Sequence, residues 1–114
     1  MNIRVYHEYF RAPEHAFAEI EMQELYPVEM QVPPVSNTSH WHGFSTRIYI
    51  LEGELTITDH GLKQAFTAGA GALVEVPERV LHSEHSTQGY KIIAGMTADP
   101  SRLTGPIDLD PSLL

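Results

Sequence analysis

Seven histidines stand among 114 residues, and two of them, His40 and His42 in the run Ser39-His40-Trp41-His42, are two positions apart. On a β-strand that spacing sends both imidazoles to one face, close enough to share an ion, and neutral imidazole is the commonest metal ligand in proteins. There is no cysteine, so an ion must be held through nitrogen or oxygen, and disulfides, thiolate nucleophiles and iron–sulfur clusters are excluded. A His-x-His pair alone fits packing as readily as metal binding. Its weight depends on the elements that position it.

Those elements read as short strands. Turn residues fall at Pro13, Pro27, Pro33-Pro34, Gly43, Gly53, His60-Gly61, Gly69 to Gly71, Pro77, Gly89 and Gly95, and they cut the chain into pieces of strand length. Glu54 to Thr58 alternates apolar and polar residues, an Asp59-His60-Gly61 turn follows, and Leu62 to Phe66 returns, which predicts a β-hairpin. Arg47 to Leu51, Ala72 to Val76 and Tyr90 to Ala94 are β-branched and aromatic runs. Glu14 to Leu25 is the one helix candidate, but Ala18, Ile20, Met22 and Glu24 also fit an alternating strand, and the strand-rich remainder favours that reading. The fold expected for residues 1–98 is one all-β domain, with 99–114 an irregular C-terminal arm.

After the pair come a strand, Gly53, the hairpin, Gly71, Pro77 and then His82. In this order the sequence resembles the cupin superfamily, specifically its small single-domain members. The family's first motif is G-x5-H-x-H-x3–4-E-x6-G, matched by His40, His42 and Gly53; its second is G-x5-P-x-G-x2-H-x3-N, matched by Gly71, Pro77 and His82. The matched regions run over about 34–53 and 71–86. The departures are Pro34 and Arg79 at two glycine positions, Thr46 at the glutamate and Ser86 at the asparagine. The resemblance implies a double-stranded β-helix, or jelly-roll, barrel with a metal site of His40, His42 and His82.

The family's usual fourth ligand is a glutamate, and Thr46 stands in its place. A neutral three-histidine set leaves the ion's charge uncompensated and about half of an octahedral shell open, which suits Fe(II) first, with Zn(II), Ni(II), Mn(II) or Cu(II) as alternatives, better than hard Mg(II). Similar sites in the family belong to thiol dioxygenases and to the iron enzyme that cleaves acetylacetone. By strand parity Phe44, Thr46, Ile48 and Ile50 share the ligand face and form a largely apolar substrate pocket. Arg47 and Tyr49 point away, so this strand offers no cation to a substrate carboxylate, which argues against a thiol dioxygenase.

Glu84 shares the parity of His82 and is the candidate fourth ligand or catalytic base. His85 falls off that face, and His7, His15 and His60 read as surface or turn residues. Trp41 alternates outward and is expected to pack on a second sheet or a partner chain. Glu75 faces solvent or pairs with Arg47 or Arg79. Arg79, in place of a glycine, is expected to give its turn a different backbone shape.

With 42% hydrophobic and 19% charged residues the chain is a globular domain, not a disordered one. Fifteen acidic against seven basic residues, a formal charge of -8, disfavour nucleic acid and anionic membranes as partners. No stretch is a membrane span and the start of the chain lacks the order of a secretory signal, so a cytoplasmic protein is expected. Single-domain cupins commonly pair, and residues 1–12 are the candidate for exchange in a homodimer. The expected function is a metal-dependent dioxygenase acting on a small molecule. The alternatives are a non-catalytic ligand-binding or sensing cupin, or a metal-free sugar isomerase or epimerase.

Overall fold

In the computed structural model, which describes residues 1–114, the alternating runs form eight strands and one helix. In chain order these are β1 (Arg4–Tyr6), α1 (Pro13–Met22), β2 (Tyr26–Val32), β3 (Val35–Ser36), β4 (Thr46–Asp59), β5 (Gln64–Gly69), β6 (Leu73–Val76), β7 (His82–Ser86) and β8 (Tyr90–Met96). Short 3₁₀ turns follow at Pro100–Arg102 and Pro111–Leu113. No helix is long and apolar enough to cross a membrane.

The 14-residue β4 serves two antiparallel sheets. Its first half pairs with β6 and β8, which in turn pair with β1 and β2. Its second half pairs with β5 and β7, and β7 pairs with β3. The strand turns the corner where its register against β8 slips between Ile50 and Glu52. Just beyond the slip, Gly53 adopts φ +84°, a left-handed conformation that costs glycine little.

Ile50, Leu55, Ile57, Val74, Ile92 and Ala94 build the core between the sheets. The first sheet is buried on its outer face too, where Tyr49, Leu73 and Ile93 pack with Phe10, Ala16 and Ile20. Burial on both faces explains why these strands carry apolar runs such as Leu73-Val74 and Ile92-Ile93-Ala94 without strict alternation.

The cover on that outer face is α1, which corrects the reading of Glu14 to Leu25 as a strand. Pro13 fits the first helical turn, where its missing N–H leaves no bond unmade, and Glu14 complements the helix dipole there. Ala16 and Ile20, four apart, are its buried residues. The helix lies over Gly95, where a Cβ would come within 2.9 Å of Ile20 Cγ1.

The expected hairpin is present, with Asp59 opposite Gln64 and Leu62 in the turn rather than the strand. Asp59, only 1% exposed, ties this turn to the N-terminus. Its carboxylate accepts the backbone N–H of Leu62 at 3.0 Å and of Ile3 at 3.1 Å. The N-terminal strand β1, read as a segment for exchange, pairs with β6 of its own chain.

Candidate metal centre

His82 opens β7, and β7 lies between β4 and the segment that carries the other two histidines. His40 and His82 face each other in an isolated antiparallel bridge, each backbone N–H donating to the other's carbonyl at 2.9 Å. Two residues further on, His42 returns to the same face. One ring nitrogen from each of the three histidines lies within 4.8 Å of the other two.

The rings are held by their Nδ1 atoms. His40 Nδ1 lies 2.8 Å from the Thr38 carbonyl, His82 Nδ1 2.8 Å from the Val80 carbonyl and His42 Nδ1 3.1 Å from the Ile107 carbonyl. A carbonyl only accepts, so each Nδ1 carries the hydrogen, which leaves Nε2 as the nitrogen that could hold an ion once it gives up any proton it shares with a neighbouring carboxylate. Three imidazole nitrogens fixed in this way fit a divalent transition metal.

A carboxylate approaches the histidines from β7, not from position 46. The strand runs on through Ser86, so Glu84 stays on the face of His82, with Oε1 3.0 Å from His40 Nε2 and 3.4 Å from His82 Nε2. A carboxylate therefore stands beside the three histidines, which Thr46 alone does not indicate. The hydrogen bond to Glu84 is the main cause that pushes the His40 pKa up to about 9, against the effect of burial. Burial works to raise the Glu84 pKa, but the bonds from His40 and His82 outweigh it and hold this carboxyl below the usual range. Burial pushes His42 down. It also raises Tyr90, whose hydroxyl lies 3.5 Å from Glu84 Oε2.

His42 and His82 line a cavity of about 560 Å³ walled by Phe44, Ile48, Val76, Ile92, Ala94 and Met96, among others. Its charged groups besides the histidines are Glu84 and Asp108, and no lysine or arginine lines it. Of the four pocket residues expected from parity, Phe44, Thr46 and Ile48 line this cavity. Ile50 does not; it lies beyond the wall, fully buried in the core. Phe44 stacks on the His42 ring at 5.1 Å and 15°. The Thr46 hydroxyl is buried without any hydrogen-bond partner.

The outward residues find other work. Arg47 bonds Glu75 at 2.7 Å and reaches Glu19 of the helix at 3.3 Å, which answers where Glu75 finds its cation. His7, His15, His60 and His85 are exposed and take no part in the centre. Arg79 has φ +65°, so it adopts the left-handed conformation of the glycine it replaces instead of reshaping the turn. Its guanidinium lies 5.4 Å from the Trp41 ring.

Trp41 receives the C-terminal arm. Trp41 and Leu109 exchange backbone hydrogen bonds, and the indole N–H donates to the Asp110 carbonyl at 2.9 Å. The arm also lines the cavity through Pro106, Ile107 and Asp108, with Asp108 Oδ1 3.6 Å from His42 Nδ1 and 3.8 Å from His40 Nε2. The sequence leaves the place of the arm open, between the barrel and a neighbouring subunit; here it lies against Trp41 and His42 of its own chain.

No protein-family model matches the chain, and no curated protein matches it in sequence. Solved structures do match in shape. A DUF861 family protein from Thermotoga maritima is 15% identical with a TM-score of 0.58, over 81% of this chain and 96% of that one. A cupin-2 domain protein from Shewanella frigidimarina is 22% identical with a TM-score of 0.52, over 64% of this chain and 67% of that one. Oxalate decarboxylase from Bacillus subtilis, described with Mn(II) centres, is 22% identical with a TM-score of 0.53, over 75% of this chain and 24% of the decarboxylase. With the two-sheet topology, these likenesses show that the chain has the cupin fold.

Proposed function

We propose that this cupin is a metal-dependent dioxygenase of a small, neutral, largely apolar substrate, with one divalent transition ion, Fe(II) first, held by His40, His42 and His82. The observation that carries this reading is the convergence of three oriented imidazoles, two of which line a largely apolar cavity. When bound, the ion would supply the Lewis-acid and redox chemistry that side chains lack. The Mn(II) centres of the Bacillus subtilis oxalate decarboxylase support a metal in this fold and keep manganese beside iron as a candidate.

The chain's own residues do the rest. Glu84 would offset one charge of a bound ion and, released by it from the two histidines, could take up a substrate proton, while the Tyr90 hydroxyl lies beside Oε2. Phe44, Ile48 and Ile92 bind by excluding water. With two carboxylates and no cation in the lining, a carboxylate or phosphate substrate would enter against repulsion and find no partner. A metal-free isomerase needs one oriented base, and the common aim of three Nε2 atoms exceeds that need.

The test is metal content of protein purified without an affinity tag, beside a His40→Ala control, followed by oxygen uptake with small diketones. Near one equivalent of iron, lost in the control, together with uptake, is the expected result. Metal without uptake for any neutral substrate would favour a non-catalytic binding or sensing cupin. No metal even after reconstitution would overturn the metal reading.

A further inference from the structure

The three ligand histidines are not held in the same way. His40 and His82 each donate Nδ1–H to a carbonyl two residues earlier in their own segment, Thr38 and Val80. His42 donates to Ile107, 65 residues away. Its orientation therefore depends on a segment outside the barrel.

We infer that residues 106–110 of the C-terminal arm are a working part of the metal centre, a latch that positions His42 and adds a carboxylate beside the ligands. The inference rests on the metal-binding reading above. Three independent contacts carry it. The Ile107 carbonyl fixes the His42 tautomer and ring direction. Asp108 places a negative charge within 4 Å of nitrogens of both His40 and His42. The Trp41–Leu109 bridge and the bond from Trp41 to Asp110 fasten the arm to the residue between the two ligands.

The same segment lines the cavity through Pro106, Ile107 and Asp108. A molecule entering over the arm must lift it, and lifting it removes the partner of His42 Nδ1. Access to the cavity and strength of the metal site are thus linked through one element, and metal binding favours the closed mouth.

The experiment uses the full chain titrated with Co(II), followed by visible absorption, with thermal unfolding as a check of the fold. Leu109→Pro removes the N–H that donates to Trp41 at 2.9 Å and leaves the barrel untouched; it is expected to weaken Co(II) binding by about 10- to 100-fold and to change the band shape. Leu109→Ala keeps the N–H and should bind as the parent does. Asp108→Ala, at a residue whose side chain is 62% exposed and so free of folding penalty, is expected to weaken binding several-fold, with rescue by Asp108→Glu. Parental affinity and spectrum in both Leu109→Pro and Asp108→Ala would overturn the latch while the metal site stands. No Co(II) binding by the parent chain would overturn the metal reading itself.

Discussion

Glu84 holds a carboxylate oxygen 3.0 Å from Nε2 of His40, so the acidic member of this centre comes from the strand of the third histidine instead of the strand that follows the first two. Glu84→Gln keeps the shape and removes the charge. The expected result is a metal affinity about 10- to 100-fold weaker, with a stoichiometry still near one at saturating metal because three imidazoles remain. Titration with Co(II) or Fe(II) checks this. Unchanged affinity with lost turnover would make Glu84 a proton acceptor and not a ligand.

Thr46 presents the opposite case, a polar group with nothing to bond. Its hydroxyl is buried without a partner, and an unsatisfied buried group costs about 1–3 kcal/mol. Thr46→Val replaces the hydroxyl by a methyl of similar size, so the protein should be more stable by about 1 kcal/mol, a rise in Tm of roughly 5 °C for a domain of this length. Binding of a substrate that uses the hydroxyl should weaken in the same variant. A lower Tm would mean that the hydroxyl is satisfied in solution.

The clustering of the three histidines is legible in the sequence because it depends on strand parity, and parity is preserved wherever a strand continues. That is why His40, His42, His82, Glu84 and the wall residues Phe44, Thr46 and Ile48 could be placed on one face. Ile50 keeps the parity of Ile48 in the register against β8 but is fully buried in the core and does not line the cavity, a difference of depth that parity does not report. The helix α1 was misread because Ala18, Ile20, Met22 and Glu24 satisfy both periods. What decides for helix is the apolar outer face of the first sheet, which only the folded chain reveals. The arm was illegible for a related reason: its bonds to Trp41 and His42 are mostly backbone bonds, and backbone carbonyls carry no sequence signal.

Gly53 marks the corner where β4 passes from one sheet to the other. At φ +84° an L-residue is strained by about 1–2 kcal/mol, and a Cβ there would also overlap the Gly89 carbonyl oxygen, a backbone atom with no room to move. Gly53→Ala is therefore expected to destabilise by more than about 3 kcal/mol, read as a loss in denaturant midpoint at unchanged slope. Gly43 has nothing within 4 Å of its would-be Cβ. Gly43→Ala is the control and should leave stability within about 0.5 kcal/mol.

Glu19 joins the helix to the barrel, accepting from Tyr9 at 2.7 Å, from Tyr49 at 2.8 Å and from Arg47 at 3.3 Å. Burial acts to raise its pKa, but the tyrosine hydrogen bonds and the Arg47 charge outweigh burial and hold it below the ordinary value of 4.5. A carboxyl whose folded pKa is depressed contributes its stability in full above the unfolded value and loses it as pH falls through the folded one. Glu19→Gln should thus cost about 2 kcal/mol at pH 7, the scale of a hydrogen bond to a charged group, and the gap to the parent should narrow once pH drops below about 4.5. Thermal unfolding of both proteins between pH 3 and 7 measures it. A gap that stays constant across that range would show that the contribution of Glu19 is one of shape and not of charge, because only the charge is lost on acidification.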